Sequence, residues 1–218
     1  MKLSKAYARQ VFLNCPFDDQ YRPLYEAIIF TLTAAEYAVR CSRERDDSGE
    51  TRIGKIVEII RQSKFSIHDI SRVELDPMNQ LPRFNMPLEL GLFLGARFLA
   101  DDKKQREKRC LILDAQPYRY QKFISDIAGQ DIRSHDGDPE KAIGEVRSWL
   151  STVSGRQLPG KAELVKLFRE FRGDLPVFLG GIGLTEAEMQ FPDYIHSCLA
   201  WLQARAHATQ GVIALPSG

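Results

Sequence analysis

A single carboxylate on an apolar helix is the residue of this chain best suited to chemistry. Glu89 lies within residues 85–96, where almost every side chain after the first turn is apolar. This segment predicts a largely buried helix with Asn85 as its N-cap and a proline in its first turn. A carboxylate in such a place is tolerated when it faces a polar cleft or has a charged partner. Glu89 is therefore a candidate catalytic residue, or else a structural acid paired with Arg83 or Arg97.

Further polar side chains follow two apolar runs, residues 11–15 and 65–70, that predict buried strands. Guanidinium groups and helix N-terminal N–H groups bind phosphate, carboxylates bind ribose hydroxyls, and an aromatic ring can stack on a base. The pattern therefore predicts a nucleotide site. Its candidate binding residues are Phe17, Asp18, Arg22, Asp69, Ser71, Arg72, Arg83 and Asn85.

Each of these residues also has a structural explanation. Asp18 and its neighbour Asp19 could simply begin a helix, because acids favour the positive end of the helix dipole. Asp69 could cap the turn after its strand. The serine and the arginines are common in solvated turns, and His68, inside a predicted strand, fits a core histidine better than a catalyst. The prediction rests on several polar groups converging at one edge.

The elements that must position these residues alternate between strand and helix. The predicted strands are residues 11–15, 38–41, 65–70, 110–113 and 131–133, and the main helices between and after them are residues 21–37, 52–64, 85–96, 120–128 and 139–153. This alternation predicts an α/β fold with a parallel sheet covered on both faces. Because crossovers are right-handed, we expect a flavodoxin-like, doubly wound sheet of order 2-1-3-4-5. Its switch point, where ligands bind, lies between the first and third strands.

A Ser/Gly/Pro-rich break at residues 154–160 divides the chain into two predicted units. Residues 1–153 form the nucleotide-binding α/β domain, and residues 161–205 form a C-terminal helical extension of two helices. The positions expected to be buried against the sheet domain or another subunit are Leu164, Phe168, Phe171, Leu199 and Leu202. Helices this short need tertiary burial for stability.

Composition narrows the functional classes. With 30 basic and 29 acidic residues among 218, the chain predicts neither a nucleic-acid nor a membrane partner. It has no apolar run of ~18 residues and no signal-peptide pattern, which predicts a cytoplasmic protein. The widely spaced cysteines, Cys15, Cys41, Cys110 and Cys198, predict reduced thiols. No P-loop, metal-ligand spacing or nucleophile elbow is found, so neither a metal nor a resident cofactor is expected.

Two segments resemble a known family. Residues 11–19, Val-Phe-Leu-Asn-Cys-Pro-Phe-Asp-Asp, resemble the first conserved box of Toll/interleukin-receptor (TIR) domains. Residues 56–71, followed by Pro-Leu-Glu-Leu at 87–90, are similar to their second segment, in which a strand ends near a serine and a helix carries Glu-Leu. The same stretch, especially Asp69 and Glu89, is also similar to nucleoside deoxyribosyltransferases, which share the flavodoxin-like plan. The resemblance covers roughly residues 10–135.

The TIR resemblance implies an activity. Enzymatic TIR domains cleave the nicotinamide–ribose bond of NAD with one glutamate on the third helix, which corresponds to Glu89, and the implied pocket residues are Phe17, Asp18, Ser71 and Arg72. Bacterial members act in antiviral defence, as NAD hydrolases or as cyclases that make a cyclic ADP-ribose signal. Residues 73–85 replace the usual short Ser-x-Trp-Cys approach to that helix. The absence of a sensor domain implies activation by homo-oligomer assembly or by a separate sensor or effector protein.

Three functions therefore follow as expectations. The first is an NAD glycohydrolase or cyclase, with NAD as substrate. The second is a deoxyribosyltransferase-like enzyme or a nucleotide N-glycosidase that uses Asp69 and Glu89. The third is a non-enzymatic TIR-like interaction or nucleotide-sensing module in which Glu89 is structural.

Overall fold

The fold is built on a five-stranded, all-parallel sheet of order β2-β1-β3-β4-β5, as predicted. The structure, a computed structural model, describes residues 6–44, 47–75, 78 and 80–213. The strands are β1 (Gln10–Asn14), β2 (Ala38–Arg40), β3 (Phe65–Asp69), β4 (Arg109–Asp114) and β5 (Arg133–Ser134). In the central pair Val11 lies beside Phe65 and Asn14 beside His68. The carboxyl ends of β1 and β3 therefore meet at one edge.

Helices cover both faces of the sheet. They are α1 (Arg22–Ala34), α2 (Arg52–Gln62), α3 (Asn85–Leu99), α4 (Lys103–Arg106), α5 (Pro139–Ser154), α6 (Lys161–Gly180) and α7 (Phe191–Ile213). Because side chains alternate along a strand, Val11 and Leu13 point to the face covered by α1 and α5, while Phe12 packs under α2 and α3. Among the described residues, no helix is long and apolar enough to cross a bilayer.

Local sequence signals set several boundaries. The Thr51 hydroxyl accepts a hydrogen bond from the Gly54 N–H and so caps α2, as its position before the helix predicts. Asp138 caps α5 in the same way, with a proline in the first turn. The Lys108 ammonium is buried and donates to the carbonyls of Ile60 and Ser63 at the end of α2, where the helix leaves carbonyls without partners.

Some predicted elements differ from the structure. Residues 120–128 form two short 3₁₀ turns, Arg119–Lys122 and Ser125–Ile127, rather than a helix. The last strand is displaced to Arg133–Ser134. Asn85 is the first residue of α3 rather than its cap, and Phe84, at the cap position, makes no side-chain cap bond.

The prediction that α3 is largely buried is wrong. Its buried residues are Met86, Glu89, Leu90 and Phe93, which share one face towards the sheet. Leu88, Phe98 and Leu99 are exposed on the other side. The helix has more apolar residues than the sheet can cover, because β3 and β4 contact only one of its faces.

The C-terminal helices pack on α1 and share its hydrophobic core. Leu164, Phe168 and Phe171 of α6 are buried, as predicted, and the Phe171 ring stacks on Phe30 of α1 with centroids 5.2 Å apart. On α7 the fully buried residues lie one position away from the predicted stripe, although Leu202 also packs against the core. Leu199 and Leu202 are only half-buried, and the buried stripe is Tyr194, Cys198 and Trp201.

Candidate functional site

A cavity of about 550 Å³ opens at the carboxyl ends of β1, β2 and β3, at the switch point of the sheet. Its walls are Cys15, Pro16, Phe17, Asp18, Gln20, Arg43, Arg52, Arg72, Glu74, Leu75, Arg83, Asn85 and Met86. Among the wall residues that the structure describes, four are arginines and two are carboxylates. Such an excess of guanidinium groups suits an anionic ligand, and phosphate in particular.

A larger groove of about 1580 Å³ lies at the opposite edge, around the starts of β1 and β2. Its polar side chains are engaged with one another. Arg40, for example, donates to Glu44 at 2.6 Å and to Gln62 at 3.1 Å. Ligands of parallel sheets bind at the carboxyl edge, so the smaller cavity is the better candidate despite its size.

Glu89 is not among the residues that line the cavity, although its neighbours are. It is one helical turn beyond Asn85 and Met86, which do line the cavity, and it is 5 % exposed. Burial raises the pKa of Glu89 to about 7, and the nearby Arg52 charge opposes that shift without cancelling it. Near neutral pH this carboxyl group can therefore hold or release a proton.

The cation that approaches Glu89 is Arg52, rather than Arg83 or Arg97. The Arg52 Nη2 lies 3.8 Å from the Glu89 Oε1, which is too long for a good hydrogen bond. The Arg52 side chain is 62 % exposed and also lines the cavity. Because Arg52 touches both the cavity and Glu89, an anion in the cavity would compete with Glu89 for its charge.

Asp18 and Arg72 join the two loops that the sequence predicted to converge. The Arg72 Nη2 donates to the Asp18 Oδ1 at 2.7 Å and to the Gln20 Oε1 at the same distance. Burial alone would raise the pKa of Asp18, but the bonds from Arg72 and from the Tyr21 N–H, together with nearby guanidinium charge, lower it. Asp18 therefore stays ionised. By accepting from the Tyr21 N–H it also holds the turn that precedes α1, so it has a structural role as well as a place on the cavity wall.

The Phe17 ring lines the cavity but is already covered on several sides. The Arg43 Cζ lies 4.9 Å from the ring centroid, and the rings of Tyr25 and Phe191 lie 5.7 and 6.5 Å away. A base could stack on Phe17 only beside Arg43 or in its place. Phe191 begins α7, so the C-terminal helices contact the cavity wall through this ring.

Asp69 and Ser71 belong to a buried network next to the cavity. The Tyr21 hydroxyl donates to the Asp69 Oδ2 at 2.6 Å, and the Ser71 N–H donates to the Oδ1 at 2.9 Å. The His135 Nε2 lies 3.0 Å from the same Oδ2. The Gly137 N–H donates to the His135 Nδ1, which assigns the ring proton to Nε2, facing Asp69. Asp69 thus ties α1 and the loop after β5 to the end of β3.

Two other candidates lie away from the cavity walls. Arg22, at the start of α1, donates to the Tyr25 hydroxyl at 3.3 Å and lies 3.4 Å from the Glu26 carboxylate. His68 is fully buried, and burial lowers its pKa to about 3, so it is neutral. The Asn14 amide contacts the His68 Nδ1 at 3.0 Å and donates to the Met86 carbonyl at 2.9 Å, which anchors the start of α3 to the sheet.

Sequence reasoning missed Arg43 and Arg52. Both follow β2, whose carboxyl end lies at the same edge of the sheet as those of β1 and β3. The predicted strand order contains the signal for both residues, because it places the second strand next to the first and so brings the loop after it to the same edge. Among the described residues, no cluster of three or more His, Cys, Asp or Glu side chains could hold a metal ion.

Comparisons of the chain with known protein families, with characterised proteins and with solved structures find no match. The fold and the geometry of the candidate site are therefore known from the structure alone.

Proposed function

We propose that this protein binds a nucleotide in the switch-point cavity and cleaves its N-glycosidic bond, with NAD as the leading substrate. The observation that carries the proposal is a buried carboxyl group, Glu89, whose pKa is raised to about 7 and which lies 3.8 Å from Arg52, one of the arginines that line the cavity. A perturbed acid beside a charged cleft is characteristic of working sites. The resemblance of residues 10–135 to TIR domains supports the same chemistry and suggests bacterial antiviral defence.

The charge of the cavity favours a nucleotide over a nucleoside. Arg43, Arg52, Arg72 and Arg83 line it, and Arg72 donates to the wall acid Asp18 at 2.7 Å. A pyrophosphate would find charge-assisted donors there. A deoxynucleoside carries no phosphate and would form no charge-assisted bonds with these arginines, so the deoxyribosyltransferase alternative is the weaker one.

In the proposed reaction the ribose C1′–nitrogen bond breaks, and its electron pair goes to the departing nicotinamide ring, which becomes neutral. The sugar passes through an oxocarbenium-like state that a carboxylate stabilises. Water then forms the new C1′–oxygen bond and gives its proton to the Glu89 carboxylate. In the cyclase variant a nitrogen of the adenine base attacks C1′ instead of water.

Arg52 links substrate binding to this chemistry. Its Nη2 lies 3.8 Å from the Glu89 carboxylate. If a substrate phosphate draws Arg52 into the cavity, the positively charged nicotinamide ring can replace it as the counter-charge of Glu89. The carboxylate would then face the atom at which positive charge develops.

The test is incubation with NAD, with a deoxynucleoside and with a nucleoside monophosphate, followed by chromatography of the products. We expect cleavage of NAD, and at least a ~10²-fold loss of rate in Glu89→Gln, the scale of one lost electrostatic stabiliser. Glu74→Gln is the matched control, because it removes the same charge from an exposed position on the cavity wall. Equal losses in both variants would show that only the overall charge of the cavity matters.

The other outcomes separate the alternatives. Cleavage of the deoxynucleoside alone would favour a deoxyribosyltransferase-like enzyme. Binding of NAD without cleavage, unchanged in Glu89→Gln, would make the protein a nucleotide-sensing module and overturn the catalytic assignment of Glu89.

A further inference from the structure

Helix α3 presents an apolar face to solvent. Phe84, Leu88, Phe98 and Leu99 are 68, 56, 64 and 85 % exposed. With 3.6 residues per turn these side chains share one stripe, and Gly91 and Gly95 lie at its centre. We call this stripe the outer face of α3, defined by Phe84, Leu88, Gly91, Gly95, Phe98 and Leu99.

The outer face departs from the usual pattern of a surface helix, in which the face towards solvent is polar. The buried face of α3 is apolar apart from Glu89, and the outer face is built of apolar residues and glycines as well. The Arg97 guanidinium lies 5.1 Å from the Phe98 ring centroid at its edge. An apolar patch of this kind marks an interaction surface.

We propose that the outer face of α3 is the interface with a second copy of this chain, related by a twofold axis that crosses the helix near Gly91. The shape of the stripe is self-complementary, as such an interface requires. Its large side chains stand at both ends and its glycines at the centre, where an added Cβ would meet nothing within 4 Å. In an antiparallel pair Leu88 would seat against the partner's Gly95, and Phe84 beside the partner's Leu99.

The charges at the ends of α3 fit the same arrangement. Arg83 precedes the helix, and Asp101 and Asp102 follow it, and all three are exposed. Asp102 caps α4, but both acids also follow the negative end of the α3 dipole, which by itself is unfavourable for a carboxylate. An antiparallel partner brings them towards the positive end of the other helix and its arginine, so the pairing relieves that repulsion.

The area of the patch matches a modest dimer. From the exposure of its four large side chains, the outer face presents on the order of 600 Å² per chain. Two copies would then bury roughly 1,200 Å², the lower limit of specific protein interfaces. Leu75 and Leu81, exposed in the loop before α3, can extend this area. The expected dimer is therefore concentration-dependent rather than permanent.

Sedimentation velocity over a dilution series tests the proposal. We expect the wild-type chain to pass from dimer to monomer on dilution, and Leu88→Glu to weaken dimerisation at least ~10-fold, because a charge would be buried at the interface. Val177→Glu is the matched control, since Val177 is 76 % exposed on α6, away from the outer face. It should dimerise like wild type. Circular dichroism of both variants checks that these exposed substitutions leave the fold intact.

A cross-link tests the geometry directly. Gly91→Cys would place two thiols near the proposed axis, and a disulfide needs Cα atoms within about 7 Å. We expect mild oxidation to produce a covalent dimer of Gly91→Cys, but not of Val177→Cys or of the wild-type chain. A wild-type protein that is monomeric at every concentration, or a dimer unaffected by Leu88→Glu and not linked through position 91, would overturn the proposal. These outcomes do not depend on any NAD-cleavage assay.

Discussion

At the scale of single residues, burial decides how Glu89 behaves. Most surface glutamates gain little from their neighbours, and an ion pair across 3.8 Å with a largely exposed arginine is worth little. The effect of lost hydration on the Glu89 carboxylate therefore outweighs the attraction of the Arg52 charge, and the pKa of Glu89 rises to about 7. The same imbalance that lets this carboxyl group hold a proton near neutral pH also makes its ionised form a cost to stability.

This cost gives a prediction about pH. Because the folded-state pKa of Glu89 lies above its ordinary value of 4.5, the folded state binds the proton more tightly. The free energy of unfolding should therefore fall as the pH rises from about 4.5 to about 7. Glu89→Gln carries no charge, so it should match wild type near pH 4 and exceed it at pH 8 by on the order of 2 kcal/mol. Urea unfolding at the two pH values measures the difference.

Glu74→Gln is again the control, since its side chain is well exposed, and it should follow wild type at both pH values. If Glu89→Gln were instead less stable than wild type at pH 8, the pair with Arg52 would dominate and Glu89 would be a structural acid.

At the scale of elements, the site depends on loops that meet at the carboxyl edge. The bond between Asp18 and Arg72 joins the loop after β1 to the loop after β3. Arg43 and Arg52 come from the loop after β2 and the first turn of α2. Each loop supplies one or two charged groups, and the parallel sheet brings them to one place.

The Asp18–Arg72 bridge supports a binding prediction. Arg72→Ala removes a phosphate donor and leaves the Asp18 carboxylate unpaired in the cavity, where it would repel an anion. We expect NAD binding to weaken by about 1–3 kcal/mol, the scale of a lost charge-assisted bond. Isothermal titration with Glu89→Gln as the background keeps the ligand intact during the measurement.

Arg22→Ala is the matched control, because Arg22 begins α1 near the same edge but points towards Glu26 and Tyr25. Its binding should be unchanged. A loss in Arg22→Ala equal to that in Arg72→Ala would mean that the ligand lies outside the cavity.

The sequence predicted the helices and strands better than it predicted which face of each helix is buried. The strand order follows from alternating periodicities and right-handed crossovers, which leave few topologies. Helix α3, in contrast, is apolar around most of its circumference, and periodicity cannot say which side the sheet covers. On α7 the stripe of Ile195, Leu199 and Leu202 and the stripe of Tyr194, Cys198 and Trp201 have the same spacing. Only packing against α1 selects the second stripe.

The prediction of the site residues was limited in the same way. Strand order places Asp18, Arg72 and Glu89 at one edge, and the structure brings the first two together there. Side-chain reach then decides which groups enter the cavity, and neither Arg22 nor Ser71 does so. Whether a side chain reaches the cavity depends on its neighbours in space. Glu26, for example, pairs with Arg22, and no local sequence pattern reveals such a contact.

At the scale of the whole molecule, the C-terminal helices complete the core that the sheet begins. Phe171 of α6 packs among Phe30, Tyr194 and Trp201, with ring centroids 5.2 to 5.7 Å apart. The Arg172 guanidinium lies 2.8 Å from the buried Glu26 carboxylate of α1. Burial raises the pKa of Glu26 to about 6 despite this arginine. An aromatic cluster and an ion pair thus fix the tail to α1.

This packing yields the last prediction. Phe171→Ala would open a cavity between α1, α6 and α7 and should lower the free energy of unfolding by about 3–5 kcal/mol, the range for a buried phenylalanine. Val177→Ala, on the exposed side of the same helix, should change it by no more than about 0.5 kcal/mol. Urea unfolding followed by circular dichroism measures both. If the tail were a dispensable appendage, Phe171→Ala would leave the main transition unchanged, and a chain ending at Ser154 would melt like the full-length protein. We expect the shortened chain to expose the α1 surface, bind a hydrophobic dye and lose its cooperative transition, because α1 would lose one wall of its core.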